Sequence, residues 1–207
     1  MAASEFRTIE PKILYFGAPV ALISSLNEDG ATNLAPRSSF WALGWTLVLG
    51  VPDETKTAEN LARHPECVVN TASPQLCKNV AELAPLTGKI PVPETKAKRF
   101  RFEPDKFKSA GLTPLESNLL PPARARECPV QMEARVQNPH RISGAKLEQL
   151  GGGIAAEDEI VRVHVANDFV LADRYIDPAK WSPLIYNFRH YFRFAEHELG
   201  KTFRAER

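Results

Sequence analysis

The feature that most constrains the fold is a series of short apolar stretches, separated by turn residues, within residues 19–60. Residues 20–26 are rich in β-branched and aliphatic side chains, which favours a strand. The tetrapeptide Asn-Glu-Asp-Gly at 27–30 then supplies turn residues, because Gly30 tolerates a positive φ. A second apolar strand is predicted at 45–51. At least two short strands and a turn are therefore expected in the first quarter of the chain.

Two polar segments flank this second strand. Residues 33–40 replace the strand pattern with small, hydroxyl and amide side chains, and residues 55–60 open a short helix. Small residues allow close approach of a ligand to the backbone, and a helix N-terminus attracts anions. The arrangement suits a ligand that has a planar ring, contacted at its edge, and an anionic tail.

The clearest β pattern in the chain lies at residues 128–137. Apolar and polar side chains alternate there, which places the two sets on opposite faces of a strand. The helix at 74–84 has Ser73 as a candidate N-cap and proline at its first position. The predicted elements after residue 54 are a helix at 55–64 that ends before Pro65, a strand at 66–71, the helix at 74–84, strands at 128–137, 160–165 and 169–171, and an aromatic, helical tail at 186–203. Short strands with few helices predict an α+β domain built as a β-barrel.

Residues 85–129 differ in composition from the rest of the chain, because prolines and lysines alternate there with short apolar stretches. Phe100, Phe102, Phe107 and Leu112 are too apolar for a solvated linker. We expect an ordered excursion lying on the surface of the core. Residues 1–207 are accordingly interpreted as one domain, with 186–207 as an aromatic C-terminal segment.

Composition excludes several classes of protein. Of the 207 residues, 43% are hydrophobic and 25% charged, and the formal net charge is +1, so no dedicated nucleic-acid or membrane-surface role is expected. No apolar run approaches the roughly 20 residues that span a bilayer. Three cysteines without a CxxC pair predict a reduced protein with no disulfide framework and no metal site. The N-terminal residues contain no apolar signal region, and we expect a cytoplasmic protein.

Six segments carry a resemblance to a known family: PVALISSLNEDGATNLAPRSSF, KTAENL, ECVVN, FKSAGLTPLES, ECPVQMEARV and IVRVHVAND. Their order and spacing, over nearly the whole chain, resemble the flavin reductase-like, FMN-binding split-barrel family. This family includes flavoredoxins and the small components of two-component monooxygenases. The resemblance implies an antiparallel split β-barrel with a few peripheral helices, usually as a homodimer with FMN near the subunit interface.

In this family the segment that matches residues 33–39 runs along the flavin. The resemblance therefore implies that the isoalloxazine ring and ribityl chain are contacted by Asn33, Leu34, Ala35, Pro36, Ser38 and Ser39. Flavin ring atoms need directional hydrogen bonds from backbone and small polar groups, and alanine and proline let the backbone approach closely. The alternative is a loop that ends a strand, since the same residue types dominate turns.

Thr55, Lys56 and Thr57 are the candidate ligands of the FMN phosphate. A helix N-terminus offers unpaired N–H groups and the positive end of the helix dipole, and the lysine and hydroxyl groups add donors. Ordinary helix capping is the alternative, and the two roles are compatible at one helix end. Asn60, one turn later, is a candidate to brace this site.

The candidate catalytic residues are Arg189 and His190. Related flavin reductases place a glycine-rich stretch ending in tyrosine near this point, and Phe188, Arg189 and His190 replace it here. An aromatic helix that packs on the barrel or across a dimer interface is the alternative. His164 lies on a strand face opposite three valines, so it faces either solvent or the cofactor side.

The function that the resemblance implies is FMN-dependent oxidation–reduction, with NADH or NADPH as a transient reductant. The chain has no GxGxxG fingerprint, so the nicotinamide would bind on the flavin itself. Two alternatives remain: an electron-transfer protein of flavoredoxin type that a partner protein reduces, and a split-barrel module without flavin. The aromatic C-terminal residues favour a homodimer. A redox partner or a flavin-accepting oxygenase is a further possible partner.

Overall fold

The computed structural model describes residues 6–11, 13–149, 151–194 and 199. Its helices are α1 (Lys56–Arg63), α2 (Cys77–Leu83), α3 (Lys106–Ser109) and α4 (Ala145–Glu148), with 3₁₀ turns at Pro74–Leu76 and Asn167–Phe169. Its strands are β1 (Ala18–Pro19), β2 (Ala21–Leu26), β3 (Thr32–Arg37), β4 (Phe40–Leu43), β5 (Thr46–Pro52), β6 (Glu66–Thr71), β7 (Leu86–Thr87), β8 (Arg101–Phe102), β9 (Pro114–Leu115), β10 (Arg124–Ala125), β11 (Val130–Arg141), β12 (Gly153–Val165), β13 (Val170–Leu171), β14 (Tyr175–Ile176), β15 (Ile185–Asn187) and β16 (His190–Phe192).

One antiparallel sheet dominates the fold, with seven strands in the order β3-β2-β6-β11-β12-β5-β4. Its two outermost strands, β3 and β4, are consecutive in the chain and are joined only by Ser38 and Ser39. The N–H of Gly50 on β5 also donates to the carbonyl of Ser39 at 2.7 Å. Because so short a connection holds the two edges close together, the sheet curls into a barrel that is open where β3 and β4 diverge. The expected antiparallel split barrel is confirmed.

Strand β2 is buried on both faces, which explains its nearly continuous apolar sequence. Ala21 and Ile23 belong to the core inside the barrel, together with residues of β5, β6, β11 and β12 and with Leu61 of α1. Val20 and Leu22 belong to a second core outside it, which α2 and the excursion cover. The barrel thus has one core inside it and a second core on the outside, along one of its sides.

The segment at 85–129 supplies much of this outer core. Phe107, Ala110, Leu112, Ala125 and Cys128 are buried in the outer core. The apolar residues that set this segment apart from a linker therefore have a packing role, although Phe102 stays exposed.

The polar face of β11 is also covered. Glu133 is fully buried and accepts hydrogen bonds from the backbone N–H groups of Asn118, Leu119 and Leu120 and from Nε2 of His164. Burial alone would raise the pKa of Glu133, but these hydrogen bonds lower it overall. Glu133 thus fastens the excursion to the barrel, and the largely buried His164 on the neighbouring strand is hydrogen-bonded to that carboxylate.

Two secondary-structure predictions are wrong. Residues 33–37 belong to β3, because pairing with β2 supplies the backbone hydrogen bonds that their small polar side chains do not specify. The predicted C-terminal helix is a hairpin of β15 and β16, with Phe188 and Arg189 at positive φ in the turn and β15 paired with β1. Phe203 lies outside the described residues.

The remaining differences are small. Ser73 starts a 3₁₀ turn without a side-chain cap, and α2 follows that turn. The predicted strand at 160–165 is the second half of β12, which begins at Gly153. Within the described ranges, no helix has the length and apolarity that a membrane span requires.

Candidate functional site

Strand β3 contributes residues to two cavities, with Asn33 and Ala35 lining the first and Pro36 and Arg37, at its C-terminal end, lining the second. The first, here called the lysine cavity, measures about 40 Å³ and is lined by Asn33, Ala35, Thr55, Lys56, Thr57, Leu86, Thr87, Gly88, Lys96, Phe100 and Lys106. The second, the tyrosine cavity, measures about 240 Å³ and is lined by Tyr15, Val20, Pro36, Arg37, Ser38, Ser39, Gly50, Pro52, Tyr186 and Tyr191.

The start of α1 forms one wall of the lysine cavity. Thr55 is the N-cap, since its hydroxyl accepts a hydrogen bond from the N–H of Ala58 at 3.2 Å. The hydroxyl of Thr57 is buried and has no hydrogen-bond partner among the described residues. An unpaired buried hydroxyl costs free energy, and an anion bound at this helix N-terminus would give it a hydrogen-bond partner.

Four lysines surround this helix end. Lys56 and Lys89 both pair with Glu59, at 3.4 and 2.7 Å. Lys96 donates to the carbonyl of Glu54.

Lys106 is the most buried of these lysines, and its Nζ donates to Oδ1 of Asn33 at 2.8 Å. Burial, and then the nearby charge of Arg37, lower the pKa of Lys106 to about 7. An amine with a pKa lowered in this way becomes protonated most readily when an anion binds beside it.

Gly88 sets the size of the lysine cavity. A Cβ at this position would lie 2.6 Å from Oδ1 of Asn33 and 3.2 Å from Cγ of Lys56. The backbone of the excursion therefore comes as close to β3 and α1 as a glycine allows.

The tyrosine cavity is aromatic and hydroxyl-rich. Tyr15 and Ser39 share a hydrogen bond of 2.7 Å between their hydroxyl groups. The rings of Tyr15 and Tyr186 stand edge to face at 5.3 Å, and Tyr191 lies 5.8 Å from Tyr186. Flat apolar walls with hydroxyl groups at the rim fit a planar heterocycle.

Arg37 is the cation of the tyrosine cavity. Its Nη1 donates to the carbonyl of Pro36 at 3.0 Å, whereas its Nε is buried without a partner among the described residues. Burial lowers the pKa of Arg37 to about 10, and Tyr15 counteracts part of that shift.

The structure gathers most of the predicted ligand residues around these cavities. Asn33, Ala35, Thr55, Lys56 and Thr57 line the lysine cavity, and Pro36, Ser38 and Ser39 line the tyrosine cavity. Their contact with a ligand stays a prediction.

Leu34 and Asn60 take other positions. Leu34 packs in the outer core. Asn60 is buried behind α1, where its amide donates to Ser25 and Asn27 and its carbonyl accepts from Arg63. Asn60 thus braces the helix against the β2–β3 turn.

Arg189 and His190 lie at the exposed turn of the β15–β16 hairpin and line neither cavity. Tyr186 and Tyr191 of the same hairpin reach the tyrosine cavity instead. The catalytic assignment of Arg189 and His190 stays a prediction.

The sequence interpretation did not single out Tyr15, Arg37, Lys96 or Lys106. Arg37 stands inside the quoted segment NLAPRSSF, and the two lysines stand in the lysine-rich excursion. For Arg37 the available signal was a charge within a segment already tied to the ligand, whereas Tyr15 and the two lysines stood in segments that had not been tied to the site.

The fold is thus a split barrel with one lysine-lined and one aromatic cavity that share strand β3. A family model described as flavin reductase like domain matches residues 13–195, and the chain belongs to this family. Membership implies a flavin-binding protein. An uncharacterized protein of Bacillus subtilis (strain 168), YdfE, is 43% identical over 203 residues, which cover 97% of this chain and 95% of that protein.

Solved structures share the fold. Flavoredoxin of Desulfovibrio vulgaris (Miyazaki F) matches with a TM-score of 0.75 at 18% identity, over 97% of this chain and 99% of that one. Nitrilotriacetate monooxygenase component B from Bacillus cereus matches with a TM-score of 0.70 at 20% identity, over 98% and 100% of the two chains. At these identities the similarity shows the fold alone.

Proposed function

We propose that this chain binds FMN along β3 and acts as an oxidoreductase, with NADH or NADPH as the source of electrons. The observation that carries the proposal is the pair of cavities, one cationic at a helix N-terminus and the other aromatic, that are both lined by residues of β3. A ligand with a planar ring and a phosphate tail matches both.

The lysine cavity is proposed to hold the phosphate. Its orphaned Thr57 hydroxyl, the free N–H groups at the start of α1 and Lys56 provide donors from one helix end. Lys106 adds a cation from the excursion, already held in place by Asn33. These groups favour FMN over riboflavin, because riboflavin lacks the phosphate.

The tyrosine cavity is proposed to hold the ring. Pro36, Ser38 and Ser39 bring backbone and small side chains to its rim, and Tyr15 and Tyr186 form an aromatic wall. When bound, the flavin supplies the two-electron chemistry, whereas the protein binds and orients it.

Flavin content and reduction test this proposal. We expect purified protein to take up about one FMN per chain and to bind riboflavin weakly. The visible flavin absorbance is expected to bleach when NADH or NADPH is added without oxygen. Bound FMN that only a reduced partner protein bleaches would favour an electron-transfer protein of flavoredoxin type. Absence of FMN binding would refute the proposal.

We also propose that the chain forms a homodimer. Trp41, Leu43 and Trp45 lie at or beside the edge strand β4 and are 57%, 75% and 64% exposed, and Phe192 is also half exposed. An aromatic sheet edge of this kind favours association. Light scattering is expected to return twice the chain mass of 23.0 kDa, and a mass near that of one chain would contradict the proposal.

A further inference from the structure

Arg37 is partly exposed but has a buried Nε, and it carries a charge that the proposed phosphate site does not require. Its side chain lines the tyrosine cavity, whereas Lys56, Lys96 and Lys106 line the lysine cavity. The phosphate can therefore be neutralised without Arg37. The guanidinium lines the cavity assigned to the ring, and its charge also lowers the pKa of Lys96 and Lys106 in the lysine cavity.

No carboxylate neutralises Arg37 among the residues that the structure describes. Its only hydrogen bond there is the one to the carbonyl of Pro36, and Nε is buried with its N–H unused. An unpaired buried cation is costly, and a neighbouring anion in a low-dielectric cavity repays much of that cost. The arrangement is therefore incomplete until a negative charge enters the tyrosine cavity.

Reduction of a flavin ring supplies such a charge. When a C–H bond of the reduced nicotinamide breaks and an N–H bond forms on the ring, one proton and two electrons are transferred. The nicotinamide leaves as a cation, and a neutral ring acquires one net negative charge. This charge is delocalised over a planar system, which a planar guanidinium is suited to receive.

We propose that Arg37 binds the negative charge that the flavin ring gains on reduction, and that it thereby favours the reduced cofactor. The inference rests on the proposed function and adds to it the residue that sets the balance between the two redox states. Arg37 acts on the difference between oxidised and reduced FMN, whereas the lysines act on both equally, because the phosphate does not change.

The test compares the affinity of each variant for oxidised and reduced FMN. Fluorescence quenching gives the dissociation constant of oxidised FMN, and equilibration with a dye of known potential gives the midpoint potential of the bound flavin. Arg37→Gln is expected to weaken reduced FMN about tenfold more than oxidised FMN, if one charge-assisted hydrogen bond is lost. The potential then falls by about 30 mV for each tenfold difference.

Two further variants complete the test. Arg37→Lys keeps the charge but loses the planar guanidinium, so a smaller fall in the midpoint potential of the bound flavin is expected. This variant decides the question if Arg37→Gln does not fold. Arg135→Gln removes an arginine of the same charge that pairs with Glu66 on the barrel surface, and it is expected to leave the potential unchanged.

Thermal melts without flavin address a purely structural role. Because Arg37 has a buried Nε and no carboxylate partner within the part of the chain that the structure describes, Arg37→Gln is expected to keep or raise the Tm. An unchanged potential in both Arg37 variants, or equal weakening of oxidised and reduced FMN, would overturn the assignment of Arg37 alone. Failure of the unmutated protein to bind FMN would instead refute the proposed function.

Discussion

The lysine and tyrosine cavities share one strand but are built by different means. The lysine cavity combines a helix end with cations from the excursion, and its shape depends on the absence of a side chain at Gly88. The tyrosine cavity combines the β3–β4 connection with aromatic residues from both ends of the chain. If the two cavities hold a phosphate and a planar ring as proposed, this difference in construction predicts that the two kinds of recognition can be changed independently.

Comparison of FMN with riboflavin separates the two cavities experimentally. A change in the lysine cavity should affect FMN alone, since only FMN carries the phosphate. A change in the tyrosine cavity should affect both ligands, since both carry the ring. Each prediction below uses this comparison.

The largest effect is expected from Lys56→Ala combined with Thr57→Ala. Loss of a charge-assisted and a hydroxyl hydrogen bond should weaken FMN by roughly 2–4 kcal/mol and leave riboflavin unchanged. Titration of both ligands by fluorescence quenching measures this difference. Lys78→Ala, which removes an exposed lysine from α2, is the matched control. Unchanged FMN affinity in the double variant would count against a phosphate at this helix end.

Gly50→Ala tests the tyrosine cavity. A Cβ at Gly50 would lie 3.0 Å from Cβ of Ser39, so the β3–β4 connection must shift. We expect FMN and riboflavin to lose affinity equally, by about 1–3 kcal/mol, as in other overpacked sites. A loss confined to FMN would mean that this connection serves the phosphate instead of the ring.

The pH dependence of FMN binding tests Lys106. Its pKa of about 7 in the free protein means that it is increasingly neutral as the pH rises above 7, whereas a bound phosphate would raise that pKa. Binding therefore takes up a proton, and affinity should fall by up to about tenfold per pH unit between pH 7 and 9. The second phosphate ionisation, near pH 6, is nearly complete there.

Lys106→Met is expected to bind FMN more weakly at pH 7 and to lose this pH dependence. Riboflavin binding should vary little with pH in either protein. An equally steep pH profile in Lys106→Met would assign the proton uptake to another group.

The smallest effect is expected from Tyr15→Phe. The substitution removes the hydroxyl group that bonds to Ser39 but keeps the aromatic wall, so a loss of about 0.5–1.5 kcal/mol is expected for FMN and riboflavin alike. Isothermal titration with both ligands checks it. An effect on FMN alone would place the phosphate nearer to Tyr15 than the two-cavity arrangement allows.

Local sequence signals determined much of the scaffold. The turn at residues 27–30 forms with Gly30 at positive φ, α1 begins after the Thr55 cap, and β6 spans Glu66–Thr71 as predicted. These features depend on the conformational preferences of a few adjacent residues. The candidate anion site at α1 could be read from sequence for the same reason, because a helix N-terminus carries its N–H groups wherever it is placed.

The tertiary structure decided the rest. Residues 33–37 form a strand only because β2 pairs with them, and the C-terminal hairpin forms where β1 offers a partner for β15. Lys106 meets Asn33 across 73 positions of sequence, and Arg37 and the tyrosines meet only when the barrel closes through Ser38 and Ser39. A periodic pattern reports which face of one segment is buried, but the partners of that face are set by strand order and closure, which no single segment encodes.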